Sequence, residues 1–140
     1  MKRVVYLLLI LVACAQQPSE QLNHINGYWE IEEVIMPDGQ NKVYKFSNTV
    51  DYIEINENLK GFRKKLKPQL NSTYNTSQDA EAIKAIIQGD SLVLHYSTAF
   101  DTWKETVLHV DEKTLKVQNE NNILYLYKRY EPINLNLDDL

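Results

Sequence analysis

Two hydrophobic patterns divide this chain. Residues 4–13 are apolar without a break, whereas from Tyr28 onward apolar positions come in short, alternating runs. The first run has ten residues, and a bilayer-spanning helix needs about 20. The later runs fall at 28–36, 42–46, 50–55, 59–66, 92–97, 102–110, 114–117 and 123–130, and they are rich in β-branched and aromatic residues. Turn formers separate them: Pro37-Asp38-Gly39, Asn56-Glu57-Asn58, Gly89-Asp90, Asp111-Glu112, and the stretch from Asn119 to Asn122. Short strands at this spacing predict an all-β sandwich or barrel.

Alternation also assigns faces. Leu92, Leu94 and Tyr96 share one face, and Ile53 and Ile55 point inward. The last run, "ILYLYKRY", is apolar on both faces, Leu124 and Leu126 alternating with Tyr125 and Tyr127. Such a strand is covered on both sides, here by the segment before the domain or by the C-terminal tail. Residues 80–87, "AEAIKAII", are strong helix formers behind a capping box of Thr76 and Asp79. Yet Ile83, Ala85 and Ile87 alternate and lead straight into the Gly89-Asp90 turn, which favours a strand over a helix ending at Gly89. The polar stretch 68–78 reads as a long loop or weak edge segment. In "GFRKKLK", a regular strand turns either Arg63 and Lys65 or Lys64 inward, and Phe62 and Leu66 favour Lys64.

The N-terminal pattern reads as an address. Lys2 and Arg3 precede the apolar run, and small residues end it. That is a secretory signal layout. Leu11-Val12-Ala13-Cys14 matches a bacterial lipobox, in which the cysteine thiol, the chain's best nucleophile, receives the lipid. Ala13-Cys14-Ala15 also fits ordinary signal cleavage, which would give a soluble secreted protein, and an uncleaved anchor is a further reading. The expected organisation is a signal peptide at 1–13, a lipid-anchored tether at 14–25 with a helical turn near 21–25, a β-barrel at 26–130 and a tail at 131–140. The membrane partner is reached through acylated, palmitate-bearing Cys14. Ala15 and the lack of an acidic run after it point to an outer membrane location in the bacterial envelope, facing the periplasm.

Charge narrows the partners. Without residues 1–13 the chain keeps 13 basic and 19 acidic residues, a net charge of −6. An acidic domain gains little from phosphate backbones, so nucleic acid is not an expected partner. Cys14 is the only cysteine, so no disulfide supports the fold and the core must hold it alone.

The first domain strand opens Asn26-Gly27-Tyr28-Trp29, and "YLYKRY" near the end carries Arg129. This pair resembles the lipocalins of the calycin superfamily. There a G-x-W tryptophan plugs the closed end of an up-and-down antiparallel barrel, and a late arginine lies across its ring. The resemblance covers roughly residues 27–130. It implies a lipocalin-like barrel of eight or nine short strands, closed by Gly27, Trp29 and Arg129, that binds a small apolar or amphipathic molecule. The chain departs from typical lipocalins in lacking the T-D-Y turn and in being shorter, which implies a squat barrel with a small cavity.

Candidate chemistry is sparse. His24, His95 and His109 have no metal-ligand spacing and no cysteine partner. No G-x-S-x-G motif is present. Neither an enzyme nor a cofactor or metal is expected. The ligand candidates are Arg63 and Lys64, for an anionic head, and Tyr96, Trp103 and Tyr125, for an apolar body with polar tips. The plainer readings are a charge-protected edge strand and ordinary core residues. Glu105 shares a face with Trp103 and, if inward, needs Arg63 or Lys64 as partner. The alternative function is a structural or interaction lipoprotein with a filled barrel, working through its outer surface, for example an exposed patch at Leu124 and Leu126.

Overall fold

The computed structural model describes residues 15–69 and 74–132. One helix, α1 (Pro18–Ile25), precedes nine strands: β1 (Gly27–Ile35), β2 (Asn41–Val43), β3 (Val50–Ile55), β4 (Lys60–Pro68), β5 (Tyr74–Gln88), β6 (Ser91–Ser97), β7 (Thr102–Val110), β8 (Thr114–Asn119) and β9 (Leu124–Arg129). From β3 to β9 each strand pairs antiparallel with the next. β1 closes the circuit, pairing with β3 through Gly27, Tyr28 and Trp29 and with β9 along most of its length. Eight strands therefore form a closed barrel without a free edge. β2 is extra, pairing only with Glu33, Val34 and Ile35 of β1.

The inward positions alternate as the pleat requires. Trp29, Ile53, Ile83, Leu94, Tyr96 and Val117 belong to one buried cluster. Residues 80–87 are strand: Ile83 and Ala85 are buried on the barrel's inside, and burial of alternate positions overrides helix propensity.

Four segments differ from expectation. The stretch 68–78 is not all loop, since β5 begins at Tyr74 and runs for 15 residues. Its polar half is held by main-chain pairing to β4 across a register shift, Lys64 facing Ala80 but Leu66 facing Thr76. Such irregularities let a polar stretch stay in the sheet. The strand expected at 42–46 is shorter and earlier, Asn41–Val43. The segment 15–25 is not a free tether. Pro18 starts α1, where its missing N–H costs nothing. Ile25 is fully buried, Leu22 packs on the core, and Gln21 is buried with its Nε2 donating to the Val107 carbonyl at 3.2 Å. Gln16 also brackets Val110, accepting from its N–H at 2.9 Å and donating to its carbonyl. The helix thus stoppers one end of the barrel instead of covering β9, whose Leu124 and Leu126 are half-buried. The expected signal peptide at 1–13, Cys14 and all but the first two residues of the expected tail at 131–140 lie outside the described residues.

The last difference bears on the site. In β4 it is Arg63 and Lys65, not Lys64, that face the interior: Arg63 pairs with Ile53 and Lys65 with Asp51, both inward positions, while Lys64 pairs with Tyr52. Lys64 lies outside, its Nζ 5.2 Å from the Phe62 ring. Phe62 is half-buried on the outer face beside Tyr52, with ring centroids 5.9 Å apart. Leu66 and its partner Val50 are buried on that same side, outside the interior cluster. Apolar neighbours therefore pointed the wrong way, because Phe62 and Leu66 are covered on the outer face while the interior face of β4 carries Gly61, Arg63 and Lys65. Buried carboxylates inside the barrel decide the parity.

Candidate functional site

At the closed end, Trp29 pairs with Arg129 across β1 and β9. The guanidinium carbon lies 3.7 Å from the indole centre, and the indole is fully buried. This is a stacked cation–π contact. Trp29 Nε1 donates to the Ile25 carbonyl at 2.8 Å, tying the ring to the end of α1. Arg129 donates to four carbonyls: Asn26 at 2.8 Å, His24 at 2.7 Å, Glu112 at 3.1 Å and Asp111 at 3.2 Å. Two of these acceptors flank the end of α1 and two lie in the β7–β8 turn. Helix ends leave carbonyls without intrahelical partners, and one arginine supplies them here. Burial lowers its pKa, while the nearby Asp111 and Glu112 oppose that shift. Gly27 has φ +127°, and a Cβ there would lie 2.7 Å from Arg129 Nη1. The glycine is therefore required twice, for its backbone conformation and for the space the guanidinium fills.

In mid-barrel, Arg63 is buried among carboxylates. Its Nε bonds Glu81 at 2.5 Å, and its Nη1 lies 3.6 Å from Glu105. Its guanidinium carbon sits 4.4 Å from the centre of the Tyr96 ring, which in turn stacks on Trp103 with centroids 5.3 Å apart. The Tyr96 hydroxyl hydrogen-bonds Glu105. Burial works against the charge on Arg63, but Tyr96, Glu105 and the Glu81 bond outweigh it and raise its pKa further. Burial raises the Glu105 pKa, partly offset by Arg63 and the Tyr96 bond. Burial likewise pushes the Tyr96 and Tyr127 hydroxyls well up.

This layer fills the barrel. The space bounded by Trp29, Asp51, Arg63, Tyr96, Glu105 and Tyr127 is about 10 Å³, room for one water at most. Above it the barrel opens into a cup of about 300 Å³ lined by Arg63, Lys65, Trp103, Lys104, Glu105, Asn119, Tyr125 and Tyr127 among others. That is the lower end of the range for small-molecule sites. Lys65 reaches back to Asp51 at 3.0 Å. Tyr125, its pKa raised by burial and by Glu105, is 3.5 Å from the Asn119 amide.

Of the ligand candidates, Arg63, Trp103 and Tyr125 line this cup, with Tyr96 directly beneath, and Lys64 is on the far face. Gly27, Trp29 and Arg129 meet at the floor. Asp51, Lys65, Glu81 and Tyr127 were not singled out from the sequence. Asp51 has the same parity as inward Ile53 and Ile55, so alternation carried that signal. Glu81 was hidden by the helix-or-strand ambiguity of its segment. Among the described residues no group of three His, Cys, Asp or Glu side chains could hold a metal ion.

A closed eight-stranded antiparallel barrel with a tryptophan–arginine floor and one open mouth is a lipocalin-like architecture. A family profile described as the lipocalin-like domain matches residues 25–117, more than half of the chain. The protein belongs to the lipocalin-like domain family, whose members are generally binding proteins and not enzymes. Among solved structures it is similar to a lipocalin-like protein from Bacteroides uniformis, with 8% identity and a TM-score of 0.48, the match covering 75% of this chain and 97% of that one. No curated protein matches the chain.

Proposed function

We propose that this protein is a lipid-anchored envelope lipoprotein whose lipocalin-like barrel takes a small amphipathic molecule at its mouth. The observation that carries the reading is the cup itself: an open cavity of about 300 Å³ with Trp103 and Tyr125 on its walls and Arg63 and Lys65 at its base. Aromatic walls favour an apolar body, and cations below favour an anionic or polar head. The filled layer beneath supports shallow seating, so a compact ligand fits better than a long chain. The lipobox at Cys14 supports the anchor, and Ala15 supports an outer membrane address facing the periplasm.

Native mass spectrometry of protein from its own host is expected to show a retained small molecule. Titration with dodecanoate, a simple amphiphile, is expected to shift tryptophan emission through Trp103, since Trp29 is sealed in the floor. No retained molecule and no change in emission would overturn the binding reading. For the anchor, Cys14→Ser is expected to abolish labelling by palmitate and leave the precursor uncleaved. Normal cleavage with label still attached would refute the lipobox assignment.

A second reading has its own observation. The interior space of about 10 Å³ suits a solid barrel acting through its outer surface. Envelope proteins that co-purify with the ligand-free chain would favour it.

A further inference from the structure

On the outside of the barrel, β4 to β7 line up their cations. Lys60 pairs with Lys84, Lys84 with His95, and His95 with Lys104. The four side chains share the face opposite inward Ile83 and Tyr96. Neighbouring strands lie about 4.8 Å apart, so the row spans about 14 Å. Among the described residues only Lys104 of this row meets an acid, Glu120 at 3.4 Å. Lys60 and Lys84 are exposed and form no ion pair among the described residues. His95 Nε2 is shielded from solvent and has no hydrogen-bond partner.

This arrangement works against the fold. Like charges directly opposite one another destabilise a strand pair, and a buried polar atom without a partner adds a further cost. The basic row also stands in a domain that is acidic overall. Beside it runs a row of small side chains, Ala82 facing Ser97 and Ser97 facing Thr102. Between the two rows lies a groove of about 650 Å³ open to solvent, with Lys60, Lys84, His95, Lys104 and Glu120 along its rim.

We propose that this groove binds an anionic glycan, a sugar chain bearing carboxylate or sulfate groups, laid across β4–β7. Lys60, Lys84 and Lys104 meet its charges, and Ser97 and Thr102 meet its hydroxyls. The side chains argue for this class. Lysine is a flexible point charge suited to successive anionic groups, without the planar fork that arginine offers one carboxylate or phosphate. Of the rings that border the groove, Tyr96 and Trp103 are stacked on each other toward the interior, so neither turns an open face outward to a nucleic-acid base. The groove turns the lysines, Ser97 and Thr102 outward, while Ile83 and Tyr96 in its wall are buried, so they do not serve as the exposed apolar anchors of a membrane-lying surface.

The test is calorimetric titration with polygalacturonate as the carboxylated glycan, dextran as a neutral one, inorganic polyphosphate as an anion without sugar, and phosphatidylglycerol vesicles. Polygalacturonate is expected to bind best, dextran not at all, and binding to weaken as salt rises. Lys60→Gln and Lys84→Gln are each expected to cost about tenfold in affinity, the worth of one charge-assisted contact. Lys84→Gln should meanwhile raise the melting temperature of the unliganded protein by relieving repulsion, which separates lost binding from lost folding. Unchanged affinity in the lysine variants, tighter binding of polyphosphate or vesicles than of polygalacturonate, or no binding at all would overturn the proposal. Neither Lys60 nor Lys84 lines the mouth, so this test fails or succeeds independently of the mouth ligand.

Discussion

The barrel contains two arginines laid on aromatic rings, and they are opposites. At the floor, Arg129 sits 3.7 Å from the centre of Trp29 and gives its hydrogens to four carbonyls. Below the mouth, Arg63 sits 4.4 Å from the centre of Tyr96 and gives its hydrogens to carboxylates. Carbonyls do not titrate, so the floor holds one state at every ordinary pH. Carboxylates do, so the layer under the mouth responds to protons and to any ligand that competes for Arg63. The same stacking motif builds a fixed end and an adjustable one.

The largest break in this contrast comes from the floor ring. Trp29→Ala is expected to cost about 3–5 kcal/mol, as for other aromatic truncations in cores, read from urea melts. Arg129→Ala should cost about 2–3 kcal/mol, from the lost stack and unmet carbonyls. The double variant should cost clearly less than the sum, because each change removes the same contact. Full additivity would mean that the ring and the guanidinium act separately.

Next comes Arg63→Met, which keeps the stem volume but leaves Glu105 and Glu81 without their cation. Breaking a buried pair by removing one partner costs about 3 kcal/mol; the partial exposure of Glu81 brings the expected loss at neutral pH nearer 2 kcal/mol. The loss should shrink in acid as the carboxyls take up protons. An equal loss at pH 4 and pH 7 would show that Arg63 contributes packing alone.

The smallest effect sharpens the contrast. Folded Glu105 holds its proton to higher pH than the unfolded chain does. Between its unfolded and folded pKa values the folded state therefore binds more protons, and stability falls as pH rises through that window. Glu105→Gln removes this contribution, so its stability relative to wild type should improve as pH climbs from about 4.3, the ordinary glutamate value. Urea midpoints from pH 4 to 7 measure it, and parallel curves for the two proteins would show that Glu105 does not titrate in that range. Arg129→Ala, by contrast, should give a loss that hardly varies across the same range.

The floor was the more legible end in the sequence. Glycine, tryptophan and arginine stand at the two ends of the strand rhythm, and a closed meander brings its ends together. Turn residues and period-2 runs also placed most strands within a residue or two. The mouth was harder to read, because the apolar residues of β4, Phe62 and Leu66, are covered on the outer face, so apolar neighbours do not mark the interior side and cannot tell Arg63 from Lys64. What tells them apart is Glu81, whose segment has helical composition, and Glu105, far along the chain. The docked helix was missed for a related reason. "PSEQLNHI" has two apolar anchors in eight residues, too few to announce a buried face before the floor exists. A cup volume depends on how side chains fill the barrel, which spacing does not encode.

Arg129 also sets a clock. It comes from the last strand, and its bond to Asn26 joins residues 103 positions apart. Closing a loop of that length costs about 4 kcal/mol of chain entropy, and contacts so distant make folding slow. Until β9 arrives, no guanidinium covers the Trp29 ring or meets the carbonyls at the end of α1 and in the β7–β8 turn. A growing chain that has not yet reached Arg129 thus carries seven-eighths of a barrel and none of its closure.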